Sequence, residues 1–126
     1  MSWEKNERGA QGEEYTARQM AIQGYQILER NYHCPYGEVD LIACTERYLV
    51  FVEVKTRSSF LRGTPEEAVT PEKQRKLVRT ALMYLQEHPT DLQPRFDVAA
   101  VRMDRFGEIL GFRYYANAFE GEGVLF

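Results

Sequence analysis

Apolar and polar positions along this chain switch between helical spacing and strand-like runs. No proline falls between about Glu4 and Gln23, and positions 9, 13, 17, 20 and 24 form one helical stripe of Gly, Glu, Ala, Met and Gly. Gly24 is the expected stop. The stripe places Glu13 on the face that looks buried, where a carboxylate needs a partner. Tyr25 to Cys34 is β-prone, and Pro35-Tyr36-Gly37 signals a turn. Glu38 to Cys44 and Tyr48 to Thr56 then read as second and third strands joined near Glu46-Arg47. Leu49-Val-Phe-Val52 is unbroken in apolar character, as expected of a central strand covered on both faces.

Residues 57 to 70 carry serine, glycine and proline and read as a loop. Thr70-Pro71 opens a second helix with an N-cap and a proline at its first position. Its apolar stripe is Leu77, Ala81, Tyr84 and Leu85, and His88-Pro89 ends it. Arg95 to Met103 and Ile109 to Ala116 give two further strands. The predicted fold is α/β, with an αβββαβ core, a mixed five-stranded sheet and flanking helices. The first three strands form a meander, and the second helix crosses over to a fourth strand parallel to the third.

Length and composition narrow this without changing it. The 126 residues suit one domain, with a short polar N-terminal segment and a tail from about 120 to 126. An apolar share of 44% supports a folded core, and no run approaches the roughly 20 apolar residues of a membrane span. A polar start without a secretory signal makes a cytoplasmic location the expectation. Cys34 and Cys44 fall at opposite ends of a hairpin, beyond disulfide reach. The net charge of −3 argues against a general nucleic-acid coat. Basic residues nevertheless crowd two stretches: Lys73, Arg75, Lys76 and Arg79, and Lys55, Arg57 and Arg62.

The chemistry sits on the hairpin. Glu53 and Lys55 are two apart on a strand and share a face. Closing the hairpin at Glu46-Arg47 pairs Thr45 with Tyr48 and Ile42 with Phe51, and sets Asp40 opposite Glu53. Carboxylates so close repel, and holding both ionised requires a cation. Mg²⁺ or Mn²⁺ suits oxygen ligands, here Asp40, Glu53 and the carbonyl of Val54. Lys55 would orient or deprotonate a water. An acid–x–lysine pair on a strand is commonly plain solvated surface. Here the pair follows a run that belongs inside the sheet, where charge is costly unless paired or used.

Gly12-Glu13, Gly24-Tyr25, Asn31-Tyr32, Gly37-Glu-Val-Asp-Leu-Ile-Ala43, Val50-Phe-Val-Glu-Val-Lys-Thr-Arg57, Ala68-Val69, Lys73, Arg95-Phe-Asp-Val98 and Asn117-Ala-Phe119 together resemble the YraN-like family of predicted bacterial endonucleases. That family is similar to the archaeal Holliday-junction resolvases of the PD-(D/E)XK nuclease superfamily. The resemblance implies a restriction-endonuclease-like core, a metal site on Asp40 and Glu53, Lys55 as catalytic lysine, and Glu13 reaching the site from the first helix. The family usually has alanine where this chain has Thr16. The function expected is metal-dependent endonucleolytic hydrolysis of DNA, branched or flapped DNA included. The alternative is a structure-selective nucleic-acid-binding protein of the same fold that cleaves little or nothing. Lys73, Lys76, Arg79 and Arg57 are the expected nucleic-acid contacts. Nucleic acid is the expected partner, without a membrane and with room for a homodimer. Asp97 is expected to be structural, paired with an arginine such as Arg95 or Arg113.

Overall fold

The structure is a computed structural model that describes residues 2–59 and 67–120, with side chains from Glu7 onward. Arg62 and the tail from 121 to 126 lie outside the described residues. The elements are α1 (Ser2–Ile22), β1 (Gln26–Cys34), β2 (Gly37–Cys44), β3 (Tyr48–Arg57), α2 (Pro71–Glu87), β4 (Gln93–Met103) and β5 (Ile109–Phe119). They build one five-stranded sheet in the order β1-β2-β3-β4-β5. Only β3 and β4 pair in parallel, so the sheet is mixed and α2 is the crossover between them.

Strand alternation divides the core into two layers. Leu49 and Phe51 pack with Leu77, Val78, Ala81 and Tyr84 of α2. Val50 and Val52 pack with Ala17 and Met20 of α1. The helices therefore cover opposite faces of the sheet, which is why Leu49 to Val52 carries no polar residue. Each such side chain contributes about 1.5–3 kcal/mol on burial. Start signals in α2 act as expected: the Thr70 hydroxyl accepts from the Lys73 N–H at 3.2 Å, and Pro71 occupies the first turn.

On α1 the buried stripe is shifted from the expected one. Gly12, Thr16, Ala17 and Met20 are buried, Gly9 and Glu13 half-buried, and Gly24 exposed beyond the helix end. Gly12 is needed for contact, since a Cβ there would meet the Thr56 hydroxyl oxygen at 2.1 Å. Thr16 escapes apolar pattern reading because its hydroxyl donates to the Gly12 carbonyl at 2.8 Å, which satisfies it inside the core. Thr80 is buried on α2 in the same way, bonded to the Lys76 carbonyl at 2.8 Å.

Candidate active site

The β2–β3 ladder runs from Cys44↔Leu49 through Ile42↔Phe51 to Leu41↔Val52, the register the short loop predicts. Thr45 closes the turn, its N–H donating to the Tyr48 carbonyl at 2.9 Å. Beyond Leu41 the strands part. Asp40 does not sit in a closed pair with Glu53; its carboxylate instead accepts from the Val54 N–H at 2.7 Å. The β1–β2 ladder is interrupted at the same place, pairing Arg30↔Leu41 and Tyr32↔Val39 but not Asn31 with Asp40. Asn31 has φ 52°, a left-handed conformation that asparagine tolerates better than most residues. Val39 and Ile42 consequently face the same layer, which simple alternation would forbid. Asp40 thus lies where the sheet opens, within reach of groups on both faces.

From the α1 face comes Glu13, near enough to Asn31, Glu38, Glu53 and Asp40 for each to act on its charge. Burial, helped by the charges of Glu38 and Glu53, raises its pKa, with Asn31 and Asp40 acting in the opposite direction. From the α2 face comes Glu53, only 6% exposed. Its Oε2 lies 3.3 Å from the Lys55 Nζ and 3.6 Å from the Lys73 Nζ. Burial first, and then the charge of Glu53, push Asp40 up to about 7, opposed by the Val54 N–H and by Lys73.

Among the described residues, no three His, Cys, Asp or Glu side chains close on one point as a metal cage. The donor set still fits a hard divalent cation that keeps most of its water. Within a strand, a residue's N–H and C=O leave on the same edge. The Val54 N–H points at Asp40, so the Val54 carbonyl also faces the opening past Leu41↔Val52. The buried Glu53 and the half-buried Asp40, with the Val54 carbonyl beside them, form an oxygen site that Lys55 and Lys73 flank from the Glu53 side.

The structure thus gathers Glu13, Asp40, Glu53, Val54, Lys55 and Lys73 at one end of the sheet. The other residues expected on a nucleic-acid path stay outside this cluster. Lys76 is exposed and pairs with Glu72 at 3.7 Å. Arg79 is exposed farther along α2, and Arg57 is exposed at the end of β3, donating to the Thr56 carbonyl at 2.9 Å. Asn31 was not among the predicted site residues. Its signal is an asparagine within a strand-like run, a residue type suited to a left-handed break.

Asp97 belongs to a different network. It is fully buried and accepts from Arg95 Nε at 3.0 Å, from Arg95 Nη2 at 2.8 Å, from the Asn117 N–H at 2.8 Å and from the Tyr114 hydroxyl. Arg95 also donates to the Tyr25 hydroxyl at 2.6 Å. Asn117 has φ 54° and lies where the β4–β5 register shifts, so Asp97 pins that irregularity. Pairing with Arg95 agrees with the structural role expected of it.

Fold and cluster together define an α/β protein with a mixed five-stranded sheet and a buried carboxylate–lysine site where two strands diverge. The chain belongs to the family described as uncharacterised protein family UPF0102, whose model matches residues 12–101. It is 44% identical over 124 residues to the UPF0102 protein of Syntrophotalea carbinolica, covering 98% of this chain and 99% of that one. The UPF0102 protein of Moorella thermoacetica is 42% identical over 120 residues, covering 94% of this chain and all of that one (100%). That of Pelobacter propionicus is 46% identical over 115 residues, 89% of this chain and 81% of its own. Among the described residues, no helix is long and apolar enough to cross a membrane.

Proposed function

We propose that this chain is a metal-dependent endonuclease of the PD-(D/E)XK type that hydrolyses phosphodiester bonds in DNA, with branched or flapped DNA as its substrate class. The carrying observation is the meeting of Asp40, raised by burial beside Glu53, with Lys55 held 3.3 Å from that same Glu53. Carboxylates set beside each other with a strongly shifted pKa gather at sites that bind a cation or carry acid–base chemistry. Asp40, Glu53 and the Val54 carbonyl would hold Mg²⁺ or Mn²⁺. When bound, such an ion acidifies a water and polarises a phosphoryl oxygen.

The chain's own residues have separate tasks. Asp40 and Glu53 set the position of positive charge at the opening between β2 and β3. Lys55 carries an ammonium on the same strand face as Glu53, placed to orient a water and to neutralise charge on a phosphate oxygen. Glu13, its pKa raised by burial, adds a third carboxyl group from α1 beside Asp40. Lys73, at the start of α2, offsets the charge of Glu53 and presents a further cation towards phosphate. Lys76, Arg79 and Arg57 extend the basic surface around the cluster.

One observation favours the second reading, a nucleic-acid-binding protein of this fold without cleavage. Glu53 already has two ammonium groups within 4.0 Å, so the cluster is partly neutralised without metal. Metal titration separates the two. With Mn²⁺ followed by thermal stability and by NMR line broadening, wild type and Lys55→Ala should both bind, whereas Glu53→Gln should not. Lys55→Ala should nevertheless lose about 10²–10⁴-fold in cleavage, the usual scale for a proton-transfer group. If wild type binds neither Mn²⁺ nor Mg²⁺, the enzyme reading fails and the binding reading replaces it.

A further inference from the structure

Because β3 and β4 are parallel and β5 runs against them, the β4–β5 turn lies at the same end of the sheet as Glu53 and Lys55. Phe106, at the tip of that turn, is 78% exposed. Nothing in the proposed chemistry uses it. An exposed phenylalanine on a floppy loop would call for no account. Here the backbone of the turn that carries it is pinned by hydrogen bonds.

The Asp104 side chain accepts from the N–H groups of Phe106 at 2.8 Å and Glu108 at 2.9 Å. The Asp104 N–H donates to the Glu108 carbonyl at 2.9 Å, and Gly107 takes the φ of 87° that the turn requires. From α1, Arg8 braces the turn by donating to the Asp104 carbonyl at 2.7 Å. The guanidinium of Arg105 lies over the Phe106 ring, 4.9 Å from its centroid. The backbone of the turn that carries this exposed ring is thus fixed, and the ring itself meets the Arg105 guanidinium.

The surface leading to it is basic. Arg57 of β3 and Arg102 of β4 are register partners at the strand ends, two positions beyond Lys55 and Ala100. Parity puts both on the α2 side with Glu53. Lys55, Arg57 and Arg102 thus form a basic row on the α2 side at this end of the sheet, and Arg105 adds a cation at the turn beside the ring. Glu108, exposed on the outer limb of the turn, is an acid close to that row.

We infer that Phe106 is a stacking platform for an unpaired base of the nucleic acid whose backbone follows this basic row, which makes the substrate one with unpaired or splayed bases near the scissile phosphate. This rests on the nuclease reading and specifies what that site recognises. A flat ring stacks on any base without regard to sequence, and a neighbouring guanidinium strengthens the contact. Paired bases inside an intact duplex offer the ring no free face, so selectivity for branch points and flaps follows.

The test compares affinities in EDTA, which prevents cleavage, for a blunt duplex and for the same sequences arranged as a four-way junction and a 5′ flap. Phe106→Ala should bind the branched forms about tenfold more weakly and the duplex unchanged, and Phe106→Trp should keep wild-type affinity. Ile22→Ser controls for general stickiness: that side chain is also exposed, but sits at the end of α1 away from the site. Equal affinities of wild type and Phe106→Ala for the branched forms would overturn the inference and leave the nuclease reading standing. So would a monomeric Phe106→Ala beside a self-associating wild type with unchanged DNA affinity, because the ring would then be a protein contact. If wild type binds none of these DNAs, the nuclease reading falls, and the inference with it.

Discussion

Replacing Asp40 with asparagine should make the metal-free protein more stable at pH 8, not less. Asp40 has an ordinary value of 3.8 and is pushed up to about 7 in the fold, first by burial and then by Glu53. Between those values the folded state holds more protons than the unfolded state, so stability falls as pH rises through that window. The favourable contribution is fully present below about 3.8 and is gone above about 7. Most carboxylates in proteins act in the opposite direction. The loss is on the order of a few kcal/mol, since each pKa unit corresponds to about 1.4 kcal/mol. Asparagine keeps an oxygen to accept the Val54 N–H but never ionises, so Asp40→Asn should flatten this part of the pH profile. Urea midpoints from pH 4 to pH 8 measure it. Adding Mn²⁺ at pH 8 should recover stability in wild type and not in the variant. An asparagine variant clearly less stable at pH 8 would mean that Asp40 is ionised and stabilising in the metal-free fold.

The largest loss of stability should come from a residue that takes no part in the chemistry. Asp97→Ala leaves the Arg95 guanidinium largely buried without its carboxylate, and removes the acceptor of the Tyr114 hydroxyl and the Asn117 N–H. Breaking a buried pair from one side costs about 3–5 kcal/mol. Against a total of roughly 5–15 kcal/mol, that is a large fraction of the fold's stability. Urea unfolding should show a lower midpoint with an unchanged slope. A change under about 1 kcal/mol would mean that water or a neighbouring group takes over the role of Asp97.

How much of this was legible in the sequence follows from how local each signal is. Hairpin register was readable by closing the turn at Glu46-Arg47, the closure the ladder adopts, and an unbroken apolar run fixes which strand is central. The shared face of Glu53 and Lys55 follows from strand parity alone. The break at Asn31 and Asp40 was not readable. Alternation assumes a continuous ladder, and only packing against α1 shows why the strands part where Glu13 enters. Glu13 was conspicuous as a carboxylate on an apolar stripe, though the true stripe includes Gly12 and Thr16. Their burial depends on Thr56 and on a hydroxyl bonded within the helix. Lys73 was readable as a cation at the start of a helix, but its placement against Glu53 depends on how α2 crosses the sheet. Within the Tyr25–Arg95–Asp97–Tyr114 network an arginine partner for Asp97 was legible, whereas Tyr25 and Tyr114 come from separate elements and leave no periodic trace.

The central claim is that the cluster of Asp40, Glu53 and Lys55 hydrolyses DNA. It is tested most directly by end-labelled junction, flap, nicked, duplex and single-stranded DNAs incubated with Mg²⁺ or Mn²⁺ and wild type, Asp40→Asn or Glu53→Gln. Wild type should cleave at least one branched or flapped substrate. Both variants should bind it as well or better, having lost a negative charge beside the phosphate, while cleaving on the order of a thousandfold more slowly. No cleavage of any substrate by wild type, or equal cleavage by wild type and Asp40→Asn, would contradict the claim.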